Sequence, residues 1–375
     1  MATWGQAIDV HGAEPALLRH INRSQVLRLL RDAGEAMGIS AIGQATRLSR
    51  PTVELALADL IARGTVLETG HTKGSARGGR PARSFQFAAR SGCVVAVTVQ
   101  RRQVSVDVFD LRQVALMRQV WPLADINEEP DPIGFVQAAV HQVLDERSLA
   151  PDLMRVVVVG VRGIVAEGGQ VTVSGELPSF TGDAAHRDLQ SRFSCPVIVE
   201  NDANLAALAE HKQLGGPLDV VGLLIGEAVG CGLILNGELY RGAHGAAGEF
   251  FGPDAPWATT SQRIKTEVVA RGSSLSEFFS LADGGNRMAR ELVVEYAVAI
   301  ARLTRSLLLL DPPVVVIGGD IVHAGKTFLE PLRRELMPDL YHDTEIVYSE
   351  LGSECHRVGA QQLAFNWFDD HLFRA

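Results

Sequence analysis

The sequence predicts an α/β chain with a small helical head followed by two α/β lobes. Three observations predict it. Apolar residues recur at helical spacing up to about residue 90 and at strand spacing from about residue 92, strand-sized apolar runs then alternate with helical stretches, and glycine-rich turns follow several of those runs. At 375 residues the chain exceeds what one hydrophobic core usually serves, so two or three compact units are expected.

In the head, Ile21, Val26, Leu27, Leu29 and Leu30 outline a first helix, and Ile39, Ile42, Ala45 and Leu48 a short second one. A third helix is expected to open at Ser49-Arg50-Pro51-Thr52. The Ser49 hydroxyl can accept from a free backbone amide, and Pro51 suits a first turn, where amides lack intrahelical partners. Val53, Ala56, Leu57, Leu60 and Ile61 then form one apolar face, Gly64 marks the stop, and Arg50, Thr52 and Glu54 are left to face outward. This is a helix-turn-helix order, although small bundles that never touch DNA share it.

Charge separates the two readings. Residues 1 to 90 hold 12 Lys and Arg against 7 Asp and Glu, while the remainder holds 23 against 37 within a chain of net charge −9. Between 71 and 90, Lys73, Arg77, Arg80, Arg83 and Arg90 occur with no acidic residue, a clustering that a duplex rewards through counterion release. Gly78, Gly79 and Pro81 around Arg80 make a narrow, extended loop that can carry an arginine into a minor groove. The head, residues 1–88, therefore reads as a winged helix-turn-helix for double-stranded operator DNA. Ser49, Arg50 and Thr52 are its candidate contacts on the recognition helix, and Arg77, Arg80 and Arg83 those on the wing.

Apolar and charged fractions of 46% and 21% argue against general disorder. No basic segment followed by a long apolar run opens the chain, and the longest apolar stretches, such as Val156 to Val161, are strand-sized. A cytoplasmic protein with no membrane span is expected. Cys93, Cys195, Cys231 and Cys355 lie far apart and the histidines show no His-x-x-x-His spacing, so neither a disulfide framework nor a metal site is expected.

From residue 89 onward, Val94 to Gln100, Gln103 to Asp110 and Val114 to Trp121 read as three strands joined by short turns. A helix from about Pro132 to Leu144, the strand Val156 to Val161, a polar hairpin at Gly168 and Gly169, a helix near 184–193 and the strand Val197 to Glu200 follow. A second lobe begins near Asp219 with Val220 to Ile225, a glycine-rich turn and Leu233 to Leu235. It continues with a long helix Glu291 to Leu310, the strand Val314 to Ile317 running into Gly318-Gly319-Asp320, and helices near 325–336 and 355–370.

Three places can carry chemistry. Glu200-Asn201-Asp202-Ala203-Asn204 lies where a strand ends and a helix begins, the edge at which α/β sheets present ligand groups. There Asp202 reads either as a base or hydroxyl acceptor, or as an Asx cap for the helix Leu205 to Lys212. Gly242 to Gly248, ending in Glu249, is a small-residue loop suited to close approach of backbone to a ligand or, equally, a tight loop with an exposed Glu249. Gly226 to Gly232 has the glycine content of a phosphate cradle, but Glu227 speaks against it.

The chain resembles the ROK family (repressor, open reading frame, kinase), in particular its sugar-responsive transcriptional repressors. Leu48 to Val53 and Gly79-Arg80-Pro81-Ala82 look like that group's winged helix. Val159 to Val165, Val199 to Asn204, Arg241 to Glu249 and Val316 to Gly319 look like successive signatures of its two-lobed, actin-like ATPase (ribonuclease H-like) domain. The resemblance implies that Asn201 and Asp202 contact sugar hydroxyls, Asp202 being the base of the family's kinases, that Glu249 accepts from another hydroxyl, and that Glu267 is a further sugar-binding glutamate.

Departures from the family pattern are equally informative. The kinases' Asp-x-Gly-Gly-Thr, which organises ATP phosphates and magnesium, is replaced by Thr98-Val99-Gln100-Arg101-Arg102, and the second phosphate turn reads Gly226-Glu227-Ala228. A carboxylate there would repel phosphate. The Gly-His and Cys-rich zinc loop is replaced by Phe250-Phe251-Gly252-Pro253, and Arg162 stands where proline is usual. The expectation is a non-enzymatic regulator without catalytic residues, metal or cofactor, a homodimer or tetramer whose residues 89–375 sense a carbohydrate-like effector. The alternatives are an ATP-dependent sugar kinase with an accessory DNA-binding head, or a ligand-independent regulator that uses the large domain only to dimerise.

Overall fold

A computed structural model describes residues 15–72, 82–250, 256–339 and 343–374. The chain divides into two compact units. The first comprises Met1–Cys93 with Phe109–Val114 and His371–Ala375, and the second comprises Val94–Val108 and Ala115–Asp370.

The first unit contains helices α1 (Pro15–Ala33), α2 (Ile39–Thr46) and α3 (Arg50–Ala62) and strands β1 (Met37–Gly38), β2 (Val66–Thr72) and β3 (Ala82–Phe87), in the antiparallel order β1-β3-β2. Its core is Val26, Leu27 and Leu30 of α1, Ile42 of α2, and Val53, Ala56, Leu57 and Leu60 of α3, closed by Val66, Phe85 and Phe87 of the strands. Burying such side chains contributes about 1.5–3 kcal/mol each. Ile61, expected on the apolar face of α3, instead stands at its exposed edge. A three-residue turn joins α2 to α3, made possible by Arg47 in the left-handed conformation at the α2 C-terminus (φ 57°).

Two distant segments complete this unit. The Arg112 guanidinium donates to the carbonyls of Leu30 (3.0 Å), Arg31 (3.1 Å) and Gly34 (2.9 Å), satisfying the free acceptors at the end of α1. The Phe373 ring lies 4.5 Å beneath the Arg28 guanidinium, and the Phe373 carbonyl accepts from the Ser24 hydroxyl at 3.3 Å.

The second unit holds two five-stranded sheets. The first lobe runs β4 (Cys93–Gln100), β5 (Gln103–Asp110), β6 (Ala115–Pro122), α4 (Pro132–Glu146), β7 (Met154–Val161), the short pair β8 (Ile164–Val165) and β9 (Val171–Val173), α5 (Asp183–Ser191), β10 (Val197–Asn201) and α6 (Asp202–Gln213). Its sheet order is β10-β7-β4-β5-β6, with β10 parallel to β7.

The second lobe runs β11 (Val220–Ile225), β12 (Val229–Leu235), β13 (Glu238–Leu239), α7 (Pro256–Arg271), α8 (Leu275–Asp283), α9 (Arg287–Leu307), β14 (Val314–Gly318), α10 (Gly325–Leu336), β15 (Glu345–Tyr348) and α11 (Cys355–Arg374). The sheet order β13-β12-β11-β14-β15 sets an antiparallel meander beside two parallel strands. Phe278, Phe279, Tyr296 and Phe328 fill the core where α8, α9 and α10 cover this sheet. Helices α7 and α8 have no counterpart in the sequence expectation. Among the described residues no helix is long and apolar enough to cross a membrane.

Candidate functional site

Helix α3 begins as its sequence predicts. Ser49 is the N-cap, its hydroxyl accepting from the Thr52 amide at 3.4 Å and lying 2.8 Å from the Thr52 hydroxyl. Thr52 is thus half-buried against its cap, while the Arg50 side chain is 71% exposed and pairs with Glu54 at 2.9 Å. Arg83, on β3, donates twice to Glu68 across the hairpin (2.6 and 2.5 Å), and its guanidinium lies 5.2 Å from the Phe85 ring centroid. Arg77 and Arg80 lie outside the described residues.

In the second unit, the parallel register of β7 and β10 pairs Val161 with Asn201, so the residues that follow each strand, Arg162 and Asp202, emerge side by side. Asn201, not Asp202, caps α6. Its amide oxygen accepts from the Ala203 and Asn204 backbone at 2.8 and 3.0 Å, and its amide nitrogen donates to the Gly163 carbonyl (2.8 Å) and to Glu249 (3.3 Å). Asp202, whose side chain is 10% exposed, accepts the Ala203 backbone amide on one oxygen at 3.0 Å and Arg162 Nε on the other at 3.1 Å. Arg162 Nη1 donates at 3.0 Å to Glu176. Burial opposes charge on this guanidinium, but Asp202 and Glu176 more than offset it and hold the group firmly protonated.

Glu249 reaches the same place by a longer route. Buried Glu200 accepts from the Asn201 amide (2.9 Å) and from Asn204 Nδ2 (2.9 Å), and its second oxygen takes both Nε and Nη2 of Arg241 at 2.8 and 2.6 Å. Arg241 opens the loop that ends in Glu249. The loop turns at Gly242, Gly245 and Gly248, all at positive φ, and at Gly248 a β-carbon would collide with the Cys231 carbonyl. Burial, and secondarily the charge of Asp202, push the Glu249 carboxyl above the ordinary glutamate range.

Arg162, Asn201, Asp202, Glu176 and Glu249 thus share a cavity of about 180 Å³ with Ile164 and Val229. Its floor mixes carboxylates and an amide with a little hydrocarbon, the donor and acceptor set that hydroxyl-bearing ligands require. Glu267 is not among its described lining residues. It sits on α7, 3.6 Å from Arg271. Glu200 and Arg241 lay within motifs read from the sequence but were given no role there, and Glu176 was not named.

A second cavity, of about 230 Å³, adjoins the first across Arg162 and Leu224, which line both. Thr98 and Gln100 face it, as do Gly226 and Gly319, whereas Glu227 does not line it. Cys93, Cys231 and Cys355 are buried, and no group of three or more His, Cys, Asp or Glu able to hold a metal occurs among the described residues.

These two α/β lobes, with a ligand-sized cavity at the carboxyl ends of β7 and β10, form one two-lobed α/β domain. The chain belongs to the ROK family, whose profile matches residues 96–252 and 259–365. It is 23% identical to the xylose repressor of Caldicellulosiruptor bescii over 84% of this chain and 87% of that protein. Among solved structures, a ROK family transcriptional regulator, a homologue of the E. coli MLC protein, aligns with TM-score 0.71 and 19% identity over 95% of this chain and 98% of its own. A ROK family glucokinase from Streptomyces griseus, in complex with glucose and AMPPNP, aligns with TM-score 0.59 and 21% identity over 73% of this chain and 100% of its own.

Proposed function

We propose that this chain is a DNA-binding transcriptional regulator of the repressor type whose ROK domain takes a carbohydrate-like effector at Asn201, Asp202 and Glu249. The observation that carries this reading is the Arg162 guanidinium seated on Asp202. A phosphoryl-transfer base must be free to accept the proton of an attacking hydroxyl, and here that carboxylate already holds an arginine. The same side chains still offer sugar hydroxyls several acceptors, so recognition survives where transfer does not. The repressor names among the relatives support the output, and the first unit supplies a means: a capped third helix after a tight turn, with an antiparallel hairpin behind it, as in a winged helix-turn-helix. Glu267, if it serves the effector, does so from α7.

One such head buries little DNA surface, so a homodimer or tetramer on a two-fold operator is the working form. The effector acts by binding the operator-competent and operator-incompetent arrangements with different affinity. The test is calorimetry of the full chain against neutral sugars, amino sugars and sugar phosphates, beside gel shifts on operator fragments selected from genomic DNA. A binder whose affinity falls tenfold or more in Asp202→Asn, and which changes operator affinity, is the expected result. ATP-dependent turnover of a hexose, abolished in Asp202→Asn, would establish a kinase instead. At the DNA end Arg50→Ala is expected to cost about 1–3 kcal/mol of base discrimination, read as relaxed specificity in competition gel shifts. Unchanged specificity would remove α3 from the interface.

A further inference from the structure

The hairpin β4–β5 has two unlike faces. Val97, Val99, Val104, Val106 and Val108 are buried, as a valine-rich hairpin predicts. Thr98, Gln100, Gln103 and Ser105, alternating with them, instead line the 230 Å³ cavity. Thr98 and Ser105 are 5% and 2% exposed, and their hydroxyls bond to each other at 2.5 Å. Asp107 continues the face. A row of hydroxyls and amides inside a valine hairpin costs stability wherever nothing binds to it.

Two polar atoms beside this cavity have no hydrogen-bond partner among the described residues: Nδ1 of His356, whose Nε2 lies 3.3 Å from Gln100, and Oδ2 of Asp107. The wall carries no surplus positive charge. Arg118 is held by Glu354, Arg357 by Glu354 and Asp107, and Arg162 by Asp202 and Glu176; with Asp320, five carboxylates stand on or directly behind the wall against three guanidinium groups. A polyphosphate would meet net repulsion there, whereas alternating neutral donors and acceptors match hydroxyl groups.

We infer that this cavity is a second ligand site, for an uncharged polyhydroxylated molecule such as a polyol or free sugar, held by Thr98, Gln100, Gln103, Ser105 and His356. Because Arg162 walls both cavities, a ligand in one changes the arginine that the other presents, and binding at the two is linked. The inference stands apart from the effector role of Asp202, and the experiment keeps them apart.

Thermal-shift and calorimetric titrations of the full chain would use sorbitol, myo-inositol and xylose as neutral probes and inorganic tripolyphosphate as the anionic one. A neutral probe is expected to bind wild type and Asp202→Asn, and to weaken at least tenfold in Ser105→Leu, which fills the cavity. Gln103→Leu serves the same purpose should Ser105→Leu fail to fold. Tripolyphosphate is expected to bind nowhere in the cavity. The inference falls if none of the three neutral probes binds wild type, if binding survives both leucine variants, or if tripolyphosphate binds and is displaced by them. Binding lost only in Asp202→Asn overturns it while leaving the effector site standing.

Discussion

The two lobes of the second unit share one strand plan, yet their first hairpins have opposite uses. Written from the outer parallel strand inward, the sheets are β10-β7-β4-β5-β6 and β15-β14-β11-β12-β13, each a meander flanked by two later strands. In the first lobe one face of the hairpin carries Thr98, Gln100, Gln103 and Ser105 toward a cavity. In the second lobe the hairpin has Gly222 opposite Gly232; a β-carbon at Gly232 would collide with Ala203 and Ala207 of α6, and one at Gly222 would press tightly on Ala207. The strand ends differ likewise: β7 leads into the charged Arg162, β14 into Gly319. A shared topology places both hairpins alike, and side-chain chemistry makes the length of one a polar wall and the length of the other a packing surface that reaches the cavities near its turn, at Leu224, Gly226 and Val229.

Substitutions can break or sharpen this contrast. Arg162→Met leaves Asp202 and Glu176 without their cation in a largely buried setting, and a loss of about 3 kcal/mol in urea denaturation is expected. A loss below about 1 kcal/mol would show the β7 end to be as neutral as the β14 end. Gly232→Val forces a branched side chain against α6 and is expected to cost about 2–3 kcal/mol by the same measurement. The paired change Thr98→Val with Ser105→Ala removes both partners of one buried hydrogen bond, so stability is expected to stay within about 1 kcal/mol of wild type or to rise. A large loss would make the polar face structural and erase the contrast.

The smallest effect is expected at Glu249. Its carboxyl is raised in the folded chain, so between the ordinary glutamate pKa of 4.5 and the raised value the native state holds the extra proton, and stability declines as pH rises through that window. Glu249→Gln is expected to flatten that decline, read as a smaller change in Tm across a pH series. An unaltered slope would assign the decline to other buried carboxyls such as Asp107, which burial also raises.

Much of the fold was legible because its strands are long valine runs and its helices are capped by recognisable residues. The strand Val220–Ile225 and the Ser49 cap stand where the pattern predicts them. Helices α7 and α8 went unread, and α7 is mostly polar, so its pattern carries little helical contrast. Glu200 to Asn204 holds three Asx residues, of which only Asp202 is read from the sequence as a possible cap, and local preference cannot choose among them. The choice was made by where β10 stops: Asn201 keeps an extended backbone (φ −65°, ψ 140°) and takes the cap, leaving one oxygen of Asp202 for Arg162.

The amino-acid sequence by itself determined the class of most elements, the basic head on an acidic chain and the family resemblance, because these rest on local periodicity, composition and short motifs. Tertiary structure alone decided that Arg162 would sit on Asp202. Forty positions separate them, and only the parallel register of β7 with β10 makes them neighbours. It alone decided that Glu200 and Arg241 would aim Glu249, that Arg112 would close the end of α1, and that a valine hairpin would turn one polar face to a cavity. Each of these depends on strand pairing or chain reversal, which short-range pattern does not encode.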